Sequence, residues 1–111
     1  MKYAELKALV ERSSKYFCNE EDKEFEVNFQ AKKKILDEVL LLHSQLLNGE
    51  IENIRYRENL DLLMSILTEN TGCAEDLEIY DYIMNKLIEQ RIVSKEENMF
   101  YFNKTSCGRQ G

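Results

Sequence analysis

A chain of 111 residues and 13.2 kDa is enough polypeptide for one domain with a modest core and too little for two. Hydrophobic residues make up 43% and charged residues 32%, the composition of a folded protein and not of a disordered one. The formal charge of −6 and pI of about 4.9 argue against non-specific nucleic-acid binding, which needs cations to displace phosphate counterions.

Proline is absent, and of the four glycines only Gly49 and Gly72 punctuate the interior, so the chain reads as a few long segments. The first runs from Lys2 to about Phe17. Tyr3, Leu6, Leu9, Val10, Ser13, Tyr16 and Phe17 recur at three- and four-residue steps, the stripe of an amphipathic helix. Asn19-Glu20-Glu21-Asp22 then offers an N-cap followed by acids, which suit the positive end of a helix dipole. The second helix is expected to continue to Leu47 and stop at Asn48-Gly49. Residues 24–30 alternate apolar and polar, which also suits a strand, but the cap before them and the helical spacing after them favour helix.

The later half of this second helix is apolar around most of its circumference, which marks a central helix or a subunit interface. Val39, Leu40, Leu42, Leu46 and Leu47 are the residues expected to support self-association, as a homodimer. A third helix is expected from about Glu52 to Glu69, closed by Asn70-Thr71-Gly72, and a fourth from Ala74 to about Gln90. The fourth presents Leu77, Tyr80, Ile83, Met84 and Leu87 on its inward stripe, expected to pack on the third helix, and leaves Glu75, Glu78, Asp81 and Tyr82 for solvent or a partner. After it, Arg91 to Ser94 and Met99 to Phe102 read as two short strands around a four-residue turn. Ser94 and Glu97 have capping-box spacing, but the aromatic cluster that follows favours a hairpin. The fold expected is thus an all-α bundle of four helices with a small C-terminal β-hairpin, a single domain over 1–105 and a flexible tail over 106–111.

A helix, a tight turn, a second helix and a hairpin, in that order after Asn59, resemble the later part of a winged-helix module. The resemblance implies that the helix before the wing enters the major groove of DNA. Here that segment carries Glu75, Asp76, Glu78, Asp81 and Glu89 against Lys86 and Arg91, a poor match to phosphate. Other cations, Lys32-Lys33-Lys34, Arg55, Arg57, Lys95 and Lys104, have a solvated helix face as their ordinary explanation.

Sites of chemistry are hard to assemble from what is left. His43 is the one histidine, on an apolar stripe, where a helix contact suits it better than a metal. A hydrolase or transferase site around it is the weakest reading. Cys18, Cys73 and Cys107 are odd in number and form no CxxC pair, the usage of a reducing compartment. Cys73, before the fourth helix, reads as a small filler in the turn, and Cys107 as an exposed thiol. No phosphate-loop, dinucleotide or zinc-helix motif occurs, so no catalytic residue, cofactor or metal is expected. The first residues are charged and lack the apolar stretch of a signal peptide, and no run approaches a membrane span, so the expected location is cytoplasmic. The favoured function is a non-enzymatic acidic regulator, adaptor or inhibitor that binds a basic surface of another protein, in the manner of phage and mobile-element products that block a host factor. The alternative is a winged-helix-like dimeric DNA-binding regulator.

Overall fold

The computed structural model describes residues 2–19, 25–72 and 74–109, and the side chains at 15–19 and 109 lie outside that description. The acids expected after the cap, residues 20–22, the side chains of Cys18 and Asn19 and the whole of Cys73 therefore fall outside the described residues, while the Asn19 backbone, expected to open the second helix, closes the first. Helices run over Lys2–Asn19 (α1), Phe25–Leu47 (α2), Asn53–Glu69 (α3), Ala74–Glu89 (α4), Lys95–Phe102 (α5) and Ser106–Arg109 (α6). Among the described residues there is no strand.

Helix α2 is the spine. Its buried residues Asn28, Ala31, Lys32, Ile35, Leu36, Val39 and Leu42 follow each other at steps of one and three residues, a single inward stripe. Against it lie α1, α3 and α4. Leu6 and Val10 enter the core from α1, Leu63, Met64 and Leu67 from α3, and Ile79, Tyr80, Ile83, Met84 and Leu87 from α4. The α4 stripe packs principally on α2, where α3 was expected, and Ile79 replaces the half-exposed Leu77 in it. Residues 25–30 are helical, which resolves the ambiguity of that segment.

Two chain reversals share one geometry. At the end of α2, Glu50 N–H donates to the Gln45 carbonyl and Gly49 N–H to that of Leu46, with Gly49 at φ 75°. At the end of α4, Ile92 N–H donates to the Leu87 carbonyl and Arg91 N–H to that of Ile88, with Arg91 at φ 60°. Both are Schellman stops, the second with arginine in the left-handed position that glycine usually takes.

The expected β-hairpin, and with it the winged-helix resemblance, is overturned by α5. The Ser94 side chain accepts the Glu97 N–H at 3.1 Å, and the Glu97 carboxylate accepts the Ser94 N–H at 2.8 Å, a complete capping box. Ile92 and Val93, read as strand residues, are the reversal after α4, with Val93 in the core. The aromatic cluster is absorbed at helical spacing: Phe102 turns towards Tyr80, while Phe100 faces outward under the Lys104 ammonium. Beyond it, the segment expected to be a flexible tail forms α6 up to Arg109. The buried Thr105 caps this helix, its hydroxyl accepting the Gly108 N–H at 3.0 Å.

Candidate functional site

A cluster of polar side chains lies inside the molecule. Lys32 and Asp76 form an ion pair at 2.8 Å, with side chains 0% and 1% exposed. Lys32 Nζ also donates to the Asn70 carbonyl at 2.6 Å, Asn28 Nδ2 donates to Asp76 Oδ1 at 2.7 Å, and Gly72 N–H donates to Asp76 Oδ2 at 3.0 Å. Ser14 Oγ, from α1, lies 3.3 Å from the Asn70 carbonyl and 3.5 Å from Asn28 Oδ1. One polar layer thus links α1, α2, the α3–α4 turn and α4. Burial alone would push the Asp76 carboxyl up. The Lys32 ammonium and the hydrogen bonds from Lys32, Gly72 and Asn28 outweigh it and hold the carboxyl below its ordinary range. The geometry suits a structural fastening: each charge already faces its opposite inside the packed core, which is how buried ionic groups fix a register.

The sequence concealed this layer. Lys32 stands in a run of three lysines and reads as solvated, and Asp76 reads as a helix-dipole acid. A signal did exist, since stepping back from Val39 and Ile35 by seven residues, two helical turns, lands on Lys32 and Asn28. With Asp76 neutralised indoors, the surface acids of α4 are Glu75, Glu78, Asp81 and Glu89, and Lys86 lies 3.9 Å from Glu89.

The residues singled out on α4 are on its surface. Glu75, Glu78 and Tyr82 follow at helical spacing along one side, with Asp81 adjoining, and all four are exposed. Tyr82 is held in place: the Phe29 ring meets it edge-on at 5.2 Å, Phe29 stacks with Phe25 at 6.4 Å, and Lys86 Nζ stands 5.5 Å above the Tyr82 ring. Among the described residues, Glu75, Glu78 and Asp81 enter no ion pair. Asp81 borders a groove of about 430 Å³ between α4 and α5, together with Tyr80, Asn98, Met99, Phe102 and Asn103. Desolvation there raises its carboxyl pKa.

The aliphatic set on α2 is divided by the fold. Val39 and Leu42 are core residues and Leu46 is half-buried, whereas Leu40 (37%), Leu41 (46%) and Leu47 (72%) are exposed along one arc. His43 is half-buried with its ring 6.3 Å from that of Tyr56, and its Nδ1 is buried without a hydrogen-bond partner among the described residues. Cys107, expected at the surface, is half-buried on α6. Among the described residues, no group of three or more histidine, cysteine, aspartate or glutamate side chains is placed to hold a metal ion. Among the same residues no helix is long and apolar enough to cross a membrane. A cleft between α1 and α2 is lined by charges of both signs, with Lys2 and Glu38 paired across it at 3.1 Å.

In comparison with known proteins, no family model matches the chain, and neither does any curated protein or solved structure.

Proposed function

We propose that the protein is a small, non-enzymatic binding module, an adaptor or inhibitor of the cytoplasm, that engages a basic surface of another protein through the exposed face of α4. One observation carries this reading. Tyr82 stands on a packed aromatic base, flanked by Glu75, Glu78 and Asp81, which have no cation of their own among the described residues. An ordered aromatic with a charged surround is the anatomy of an interface anchor, and opposite charge accelerates encounter. The same acids repel phosphate. Affinity capture from native lysate tests it, with wild type beside Glu78→Lys/Asp81→Lys. Both sites are exposed, so the fold is expected to persist. Capture should survive nuclease and be lost in the double variant, mainly through an association rate slower by roughly tenfold at low salt. Equal capture by the variant overturns the reading.

A separate observation favours self-association. Leu40, Leu41 and Leu47 leave an aliphatic arc of α2 exposed among the described residues. We propose a homodimer through this arc. Light scattering coupled to size exclusion should give about twice 13.2 kDa at micromolar concentration, and Leu40→Lys/Leu47→Lys should return the monomer mass. A monomer for the wild type across a concentration series ends this reading.

A further inference from the structure

We propose that the groove between α4 and α5 receives an arginine side chain from the partner's basic segment. This rests on the acidic-face reading and adds where, and by what residue, the partner is held. The groove exposes one aromatic, Phe102, and has one charged edge. Tyr80 is buried, its hydroxyl donating to Asn98 Oδ1 at 2.9 Å with the Asn98 carbonyl at 3.2 Å, and its ring lies 6.3 Å from that of Phe102. Tyr80 thus lies beneath the groove with its hydroxyl proton already engaged, and the half-buried Phe102 is the aromatic that the groove exposes. Met99, 67% exposed, forms a pliable wall, the kind of side chain that adapts to an incoming aliphatic stem.

The polar edge is Asp81, with Asn103 also at the rim. Asp81 has lost part of its hydration to the groove and, among the described residues, receives no cation in exchange. A cationic ligand therefore meets this exposed carboxylate with no competing ion pair among the described residues. A guanidinium fits better than an ammonium. It is planar, weakly hydrated and stacks on aromatic faces such as Phe102, while its forked donors can address the Asp81 carboxylate and the Asn103 amide oxygen together. Its three methylenes lie over Met99. The neighbouring acids Glu78 and Glu75 extend the same sign of charge along α4 for further cations of the segment.

The test is an amide-resolved NMR titration of the full chain with three blocked five-residue peptides. These carry arginine, lysine or glutamate between two leucines. The arginine peptide is expected to shift the backbone amides of Asp81, Asn98, Met99 and Asn103, the lysine peptide to bind severalfold more weakly, and the glutamate peptide to leave them unmoved. Asp81→Asn should weaken the arginine peptide by about fivefold. Met99→Ser, which keeps every charge, should weaken it as well. Equal responses to arginine and lysine overturn the arginine assignment. Shifts confined to Glu75, Glu78 and Tyr82 overturn the groove and leave the acidic face standing, and no response to either cationic peptide anywhere on α4 overturns both.

Discussion

Lys32 and Asp76 show why a buried charge is judged by its partner. Removing one member of such a pair strands the other in a dry interior, whereas replacing both with apolar residues of similar size is often neutral. Lys32→Met or Asp76→Leu alone should therefore destabilise by about 3–5 kcal/mol, and the double variant by far less, as read from urea unfolding followed by circular dichroism. The pair also sets the response to acid. The Asp76 carboxyl is held below its unfolded value of about 4. Its stabilisation is thus complete above that value and lost as pH falls through the lower folded-state value. Stability of the wild type should drop more steeply below about pH 4 than that of the double variant. Two other residues sit uneasily. His43→Phe removes the orphaned Nδ1 and should raise stability by about 1 kcal/mol. Arg91→Gly relieves the left-handed backbone at φ 60° and should add about 0.5–1 kcal/mol, seen as a higher melting temperature.

At the scale of elements, α5 depends on its first turn. Ser94→Ala should cost about 1 kcal/mol and speed amide exchange across Lys95–Phe102, because the capping box satisfies donors that a short helix cannot otherwise satisfy. α6 depends on the absence of a side chain, since a Cβ at Gly108 would collide with the Phe102 carbonyl. The first four helices were legible in the sequence because their apolar residues repeat at helical period over many turns. α5 was not, because its eight residues give too few turns for a stripe to emerge. There, Ile92, Val93 and the aromatics carry a strand propensity that the cap at Ser94 overrides. The acidic face was legible as a pattern of exposed positions. The groove beside it was not, because it joins Asp81 to Met99 and Asn103, and that meeting exists only once α5 is known to be a helix.

The whole molecule measures 44 × 31 × 19 Å, a slab of about two helix layers. In a slab, a helix is covered on one side only, and among the described residues this leaves Leu40, Leu41 and Leu47 exposed on α2 and the acids and Tyr82 exposed on α4. The charge of the chain is unevenly useful in consequence: Lys32 and Asp76 cancel indoors, and the acids of α4 stay available outdoors. Partner association should therefore slow as ionic strength rises past the range where the Debye length falls to about 10 Å, while urea stability of the free protein should change little over the same range. Stopped-flow rates and unfolding curves at matched salt would show the two responses apart.

The layer around Lys32 also bears on the protein's history. Whole-domain stability is commonly about 5–15 kcal/mol, so a single change at either charge would use up a large share of it. Drift can reach an apolar pair at these positions only through a nearly unfolded ancestor or through both changes close together. Descendants of this chain should then carry the lysine and the aspartate together or lack both, so that positions 32 and 76, 44 residues apart in sequence, mutate as one.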